Sequence, residues 1–419
     1  MKQSVKYFIF FFLSGFLSFQ TYGQQIISYN LDVKIDVVSK KVQVKGFLDI
    51  DFELRDSLTL VLWKNTDIRS LRLNRVPAKY SFDTASASPI MYIPNGRPLA
   101  IVKPSGAGNR DTVFVEYVSD MKMLSGWARS FADNWIELNY YSAWFPIHSR
   151  SRNFTSKISI TIDTPYNVTG SGMVERKNNF WEMNQPWAGY DNVIIASNAL
   201  YSRTYQKEKV RIETDYSEFP ASALDSLLTE CAYVFDYYQN LFGKKDSVYM
   251  KFVMAPFEKG GGYSRKNFVS MRTKEFNIYT RGGIGHEIAH FWWSNAVTTT
   301  WEDWLNEAFA EYSMLMYFRE RLGREVFENR IEEYKHRCTN TPPIWGISRN
   351  SQSSYTVLYE KGSLLLYELE QHMGRERFAG FMKSVAVNKI ATTADLLVLV
   401  EREFSKDIRV WLEEKLKNG

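Results

Sequence analysis

The segment His286-Glu287-Ile288-Ala289-His290 constrains this chain more than any other part of its 419 residues. On a helix, residues four apart lie on one face and about 6 Å apart along the axis, so His286 and His290 can direct two imidazole nitrogens at one metal ion. Glu287 lies off that pair, where its carboxylate can act on a metal-bound water as a general base. The pattern predicts a hydrolytic centre on a helix, with one Zn²⁺ per chain.

A hydrolytic zinc centre also needs a third protein ligand and an open coordination position. The next predicted helix begins near Trp304, after a threonine-rich loop, and carries Glu307 and Glu311 on one stripe. Its apolar residues recur at helical spacing and indicate a buried face. We expect Glu307 to be the third ligand and keep Glu311 as the alternative. The carboxylate that is not a ligand would accept the remaining N–H of a ligand imidazole.

Together these motifs resemble the gluzincin zinc metallopeptidases, specifically the clan of aminopeptidase N and leukotriene hydrolase. The resemblance rests on the two-histidine segment, on Trp304-Leu305-Asn306-Glu307, and on Tyr359-Glu360-Lys361-Gly362 at the head of an apolar helix. It implies that Glu307 is the third ligand and that Tyr359 stabilises the oxyanion. Tyr355, one turn earlier, is the alternative for that second role.

The chain departs from the family pattern in three places. Sixteen residues separate His290 from Glu307, where about eighteen are usual, and the shortening falls in the threonine-rich loop. The place of the exopeptidase signature Gly-x-Met-Glu-Asn is held by residues 259–265, which lack the carboxylate that would bind a free α-amine. The chain also ends soon after the catalytic region, as in a short form without the large C-terminal helical domain.

Within residues 259–265, the glycines are the candidates for substrate binding. Gly260, Gly261 and Gly262 would let the backbone of an edge strand approach a peptide closely. The basic residues of the same stretch, Lys259 and Arg265, are expected on the solvated surface.

Residue periodicity predicts an α+β, multidomain chain. Short strands of an N-terminal antiparallel β sandwich or saddle, assigned to residues 24–205, are predicted over 28–37, 42–52, 58–63, 112–118 and 156–162. Residues 206–419 are assigned to a thermolysin-like, mostly helical catalytic domain, with helices over 221–241, 304–322, 325–336, 361–372, 375–386 and 394–404. Two smaller expectations are an edge strand at 268–271 and a segment that ends at Gly282-Gly283, just before the zinc helix.

Residues 1–23 have the features of a signal peptide. Lys2 and Lys6 flank the start of an apolar stretch over residues 7–19, and Thr21-Tyr22-Gly23 offers small residues for cleavage after Gly23. An uncleaved anchor is the alternative, although the stretch is shorter than the ~20 residues that span a bilayer. We expect an exported protein, periplasmic or secreted, without a membrane span in the mature chain.

The net charge limits the classes of binding partner, and the two cysteines allow one disulfide at most. Cleavage would remove two lysines and no acidic residue, which lowers the formal net charge from +5 to +3 and gives no argument for nucleic acid. A peptide or protein substrate is the expected partner, and the sequence indicates no oligomeric state. Cys231 and Cys338 are either one disulfide or two buried thiols.

The sequence is best interpreted as an aminopeptidase-like zinc metallopeptidase, with exopeptidase or endopeptidase action left open. Glu287 would take a proton from water and deliver it to the leaving amine, while Tyr359 would share the oxyanion charge. Two alternatives remain: a catalytically silent relative that binds peptides, and a zinc hydrolase that acts on an epoxide or ester, since the same centre activates water for several electrophiles.

Overall fold

The computed structural model describes residues 25–52, 56–90, 92–103, 110–126, 128–149, 153–163, 165–207, 210–245, 248–257 and 262–419. The expected signal peptide lies outside these residues, as do the candidate substrate-binding residues Gly260 and Gly261. Within the described part of the chain, no helix combines the length and the apolar character that crossing a membrane requires.

The N-terminal region is built from strands whose side chains alternate between the core and solvent, as in the second strand, where every other residue is buried. In chain order the strands are β1 (Gln25–Asp36), β2 (Lys41–Asp51), β3 (Ser57–Trp63), β4 (Thr66–Leu73), β5 (Val76–Pro77), β6 (Tyr80–Phe82), β7 (Gly96–Val102), β8 (Arg110–Asp120), β9 (Ser130–Ala132), β10 (Trp135–Leu138), β11 (Phe154–Ile162), β12 (Asn167–Gly170), β13 (Met173–Arg176), β14 (Trp181–Gly189) and β15 (Ile194–Ser197).

These strands form three sheets. The largest has eight strands in the order β13-β14-β11-β1-β2-β8-β4-β5, and the others have the orders β12-β15-β10-β9 and β3-β7-β6. The prediction of an antiparallel β region is confirmed, with one difference: β1 pairs with β11 in parallel. A parallel pair needs a long connection, and here the chain forms β2 to β10 between the two partners.

The C-terminal region contains one sheet and a group of helices. Its elements are β16 (Tyr201–Lys207), β17 (Val210–Tyr216), α1 (Ala221–Phe242), β18 (Val248–Ala255), β19 (Gly262–Ser264), β20 (Phe268–Arg272), α2 (Ile278–Ala289), α3 (Trp304–Arg321), α4 (Arg324–Arg337), α5 (Gly362–Met373), α6 (Arg375–Val387), α7 (Thr393–Glu403) and α8 (Lys406–Asn418). The strand order is β16-β17-β18-β20-β19. A single π-helical turn, Thr356–Lys361, precedes α5.

Two expectations about this region are wrong. The strand expected at the edge, β20, is an inner strand, and β19 is the edge strand. Gly282 and Gly283 do not precede the metal helix but lie inside α2. At Gly283 the helix packs closely on the sheet, since a Cβ there would lie 2.6 Å from Cε of Met271 in β20. In addition, β16 crosses the domain boundary that was expected at residue 205.

The two regions share a small apolar cluster, to which β10 and β15 contribute Trp135 and Ile195 and the five-stranded sheet contributes Val253, Tyr263 and Phe268. This cluster brings β10 alongside the edge strand β19. The two cysteines, for which a disulfide was one alternative, are free thiols in the structure.

Candidate metal centre

Helix α2 begins at a side-chain cap, and two histidines at its C-terminal end face the next helix, α3. Asn277 caps its first turn, with the side-chain oxygen accepting from the backbone N–H groups of Tyr279 and Thr280. His286 lies in the last turn, and His290 directly follows the last helical residue. One turn therefore separates the two imidazoles, as the sequence predicts.

The third candidate ligand comes from α3, whose start is tied to the loop that follows α2. The amide of Asn306 accepts from the N–H of Ala296 at 3.0 Å and donates to the Ala296 carbonyl, also at 3.0 Å. It also donates to Oδ1 of Asp303 at 2.8 Å, where α3 begins. These bonds position Glu307, the next residue, opposite the histidines of α2.

The donor atoms of His286, His290 and Glu307 form a small triangle. Nε2 of His286 is 3.2 Å from Nε2 of His290, and Oε2 of Glu307 lies 3.3 Å and 3.4 Å from these two nitrogens. Ligands about 2.0–2.1 Å from a tetrahedral zinc ion are about 3.3 Å from one another. The three side chains thus fit Zn²⁺ without rearrangement, and they are a set of His and carboxylate groups that could hold a metal ion.

The outer nitrogens of both imidazoles are held in one tautomer. Nδ1 of His290 lies 2.9 Å from the Trp293 carbonyl, which can only accept, so this nitrogen carries the proton. Nδ1 of His286 lies 2.7 Å from Oε2 of Glu311. When the imidazoles are neutral, as metal binding requires, both Nε2 atoms therefore direct a lone pair toward Glu307. Glu311 thus contacts the outer nitrogen of His286, whereas Glu307 faces both Nε2 atoms.

The pKa values of these groups describe a site that attracts a cation. Burial lowers the pKa of His286, but hydrogen bonds to Glu307 and Glu311 outweigh burial and raise it well above its usual value. Burial raises the pKa of Glu307, but the charge and hydrogen bonds of the two histidines outweigh it and lower that pKa. A metal ion can replace the protons that such a cluster binds.

Glu287 lies between the histidines and the edge strand. A Cβ placed on Gly262 of β19 would lie 3.4 Å from Oε1 of Glu287 and 2.8 Å from the carbonyl oxygen of Ser270. Burial raises the pKa of Glu287, and the charges of His286 and His290 oppose that rise. The carboxylate is thus enclosed. A Cβ at Gly262 would be in ordinary contact with it but would crowd the Ser270 carbonyl oxygen.

Tyr359 lies in the π-helical turn, an irregularity that often occurs at functional sites. Its ring is nearly parallel to that of His286, with centroids 5.8 Å apart and an interplanar angle of 9°. Tyr355 stacks on the other side of Tyr359, with a centroid distance of 4.4 Å, and is 58% exposed. Of the two candidate tyrosines, Tyr359 is therefore the one beside the imidazoles.

The expectation that Arg265 is solvated is wrong, because this residue joins the two regions of the chain. Its guanidinium donates to Oδ2 of Asp191 at 2.7 Å and to the hydroxyl of Tyr190 at 2.9 Å. The rings of Tyr141, Tyr190 and Tyr263 surround it at 4.5–5.1 Å. Nothing in the local sequence distinguishes this buried arginine from a surface one.

Several residues at the centre had no signal in the sequence. Tyr334 of α4 donates its hydroxyl to Glu311 and so extends the chain of hydrogen bonds from His286. Arg349, from the segment between α4 and α5, forms an ion pair with Asp303. Burial raises the pKa of Tyr92, a residue of the N-terminal region, and the charge of Arg349 opposes that rise.

The metal centre is of the thermolysin type. It combines two histidines at the end of one helix, a glutamate on the next helix and an enclosed glutamate beside an edge strand. Residues 269–413 match the peptidase family M1 domain. The matched residues contain all three candidate ligands.

Relatives of known sequence match in part. Aminopeptidase N of Streptomyces lividans is 23% identical over 289 residues, which are 60% of this chain and 34% of that protein. Leukotriene A-4 hydrolase of Xenopus laevis is 33% identical over 122 residues, 24% of this chain and 19% of the hydrolase. The chain thus spans about a third or less of these two relatives.

A solved structure resembles the chain along most of its length. The M1 zinc metallopeptidase from Deinococcus radiodurans superposes with a TM-score of 0.74 at 17% identity, and the match covers 94% of each chain. At this identity the likeness is one of fold. It extends beyond the matched family domain and includes the N-terminal β region.

Proposed function

We propose that this protein hydrolyses peptide bonds with the help of one zinc ion held by His286, His290 and Glu307. The observation that carries the proposal is the triangle of donor atoms, with sides of 3.2–3.4 Å, beside an enclosed glutamate. A bound Zn²⁺ would supply Lewis acidity and lower the pKa of its water. M1 zinc metallopeptidases with the same fold support the choice of metal and of reaction.

Glu287 is proposed as the general base. It is close to the ligands in sequence and space but is not part of the donor triangle, so its carboxylate is free to take a proton from water and return it to the leaving amine. Burial raises its pKa, and a carboxylate that binds a proton more readily suits both steps. Gly262 leaves space at the edge strand for the backbone of a peptide.

Tyr359 is proposed to donate a hydrogen bond to the oxyanion that forms on the scissile carbonyl. Burial raises the pKa of its hydroxyl well above the usual value, so the phenol remains a neutral donor. Its ring stacks beside His286, which places the side chain at the border of the metal centre.

The test is cleavage of a peptide mixture by the purified protein, followed by mass spectrometry. We expect cleavage that a zinc chelator abolishes and that added Zn²⁺ restores. A protein that holds one zinc per chain but cleaves no peptide would contradict this proposal and favour a peptide-binding role. Turnover of an epoxide or ester alone would favour the non-peptide hydrolase.

We also propose that the protein is exported through residues 1–23. Support comes from Lys2 and Lys6, the apolar stretch after them and the small residues before Gln24. Expression of the whole chain with a C-terminal tag, followed by fractionation and N-terminal sequencing, should yield a product outside the cytoplasm that begins at Gln24. An intact N-terminus in the cytoplasm would contradict export.

A further inference from the structure

Four buried tyrosines of the catalytic region share one pattern of hydrogen bonding, in which the phenol donates to a carboxylate. The donor–acceptor pairs are Tyr263 with Glu137, Tyr312 with Glu370, Tyr317 with Glu230, and Tyr334 with Glu311. In each pair the hydroxyl hydrogen is committed to a neighbour within the protein. None of these phenols can donate to a substrate unless that bond breaks.

Tyr359 has a different neighbour. The guanidinium carbon of Arg349 lies 5.7 Å from the centroid of the Tyr359 ring, and the charge of Arg349 acts on the phenol. A guanidinium has donors but no acceptor. Arg349 can therefore donate to the phenol oxygen of Tyr359 but cannot accept its hydrogen.

Arg349 is itself held firmly. One of its nitrogens lies 2.5 Å from Oδ2 of Asp303, and another donates to the Thr298 carbonyl at 3.4 Å. The side chains of Arg349 and Asp303 are 13% and 0% exposed, so water screens their ion pair weakly. Asp303 immediately precedes α3, the helix that carries Glu307. The ion pair thus fixes the guanidinium relative to the metal ligands.

We propose that Arg349 is a positioning residue that orients the Tyr359 hydroxyl as a donor toward the substrate, with Asp303 as its anchor. Without the guanidinium, the hydroxyl would be free to donate to an anionic neighbour, as the phenols of the four tyrosine–carboxylate pairs do. Glu307, whose charge acts on the Tyr359 phenol, is a candidate for that competing acceptor. Arg349 therefore keeps the donor available at the step where negative charge develops.

This inference rests on the proposed peptidase function and is tested by a double-mutant cycle on the zinc-loaded protein. Arg349→Met should lower kcat by about 10- to 100-fold, with KM changed by less than about threefold, because only a transition-state contact is lost. In a Tyr359→Phe background the same substitution should have no further effect on kcat, since Arg349 acts through the missing hydroxyl. Zinc content should stay at one per chain in all variants.

Two further substitutions separate orientation from charge and packing. Arg349→Lys retains a group that only donates and should keep kcat within about fivefold of the parent. Arg349→Gln brings a carbonyl that can accept from the phenol, so it should lower kcat as Arg349→Met does. If the Arg349→Met protein does not fold, Arg349→Gln takes its place in the double-mutant cycle.

The matched control is Arg319→Met. Arg319 is 15% exposed and pairs with the buried Glu370 far from the donor triangle, so its loss should cost similar stability and leave kcat within about twofold. The inference would be overturned if the reductions of kcat in Arg349→Met and Tyr359→Phe multiplied in the double variant. A normal kcat in Arg349→Met would overturn it as well. A parent enzyme with zinc but without peptidase activity would instead overturn the proposed function.

Discussion

Glu287 and His290 are three residues apart at the end of one helix, yet their loss should have different consequences. His290 contributes an atom of the donor triangle, so His290→Ala should release most of the zinc and abolish turnover. Glu287→Gln should keep one zinc per chain and the folded structure, while kcat falls by about 10² or more because the proton acceptor is gone. Metal analysis and kinetics on both variants check this. Near-normal turnover by Glu287→Gln would place the base elsewhere.

Glu307 and Glu311 also lie on one helix and contact the same imidazole from opposite sides. Glu311 accepts from Nδ1 of His286 and is held by the hydroxyl of Tyr334, so Glu311→Ala should weaken zinc binding by about 10- to 100-fold. Glu307→Ala should empty the site. Competition with a chelator of known affinity measures both effects. If Glu311→Ala releases the metal and Glu307→Ala does not, the ligand assignment is reversed.

At the scale of elements, the amide of Asn306 joins the loop between α2 and α3 to the first turn of α3. Asn306→Ala would leave the buried N–H and carbonyl of Ala296 without their partner, so we expect a loss of about 2–4 kcal/mol in the free energy of unfolding. Denaturant unfolding of the metal-free protein measures it. Asn388→Ala, whose exposed amide bonds Ser384, is the control and should cost less than about 0.5 kcal/mol. Equal losses in the two variants would contradict the role of Asn306.

Most elements could be predicted because their pattern is local. Strands such as β2 alternate at period two, α1 repeats at helical spacing, and the two-histidine motif fixes its own helix. The errors have a common cause, since they depend on what packs across space. Gly282 and Gly283 are typical helix breakers, but both lie inside α2, where Gly283 allows close contact with Met271 of β20. Strand β20 has no feature that distinguishes an inner strand from an edge strand.

The same reason explains which site residues were missed. The metal ligands and Glu287 follow a spacing along the chain, whereas Arg349 and Asp303 meet only in the folded protein, at a sequence distance of 46 residues. A lone arginine in a loop is more often solvated. Arg265 illustrates the point, because its partner Asp191 lies 74 residues away, in the N-terminal region.

At the scale of the whole molecule, the N-terminal region brings a carboxylate to the side of the edge strand, but that carboxylate is already engaged. Glu137 of β10 is fully buried and accepts from the hydroxyl of Tyr263 at 2.7 Å and from Ser270 at 3.3 Å. Arg272 lies 3.7 Å from its other oxygen. Such a carboxylate would have to break several contacts before it could bind the ammonium group of a substrate.

A free N-terminus should therefore give a peptide little advantage as a substrate. The described residues of the edge strand, Gly262–Ser264, include no carboxylate, and a serine hydroxyl compensates a desolvated ammonium poorly. We expect acetylation of a good substrate's N-terminus to lower kcat/KM by less than about tenfold, or roughly 1.4 kcal/mol. Matched free and acetylated peptides measure this directly.

Glu258, outside the described residues, provides the control. If the enzyme strictly requires a free amine and this requirement disappears in Glu258→Ala, Glu258 binds the ammonium group. If the requirement instead disappears in Glu137→Gln while zinc is retained, the N-terminal region supplies the carboxylate, after the internal contacts of Glu137 break.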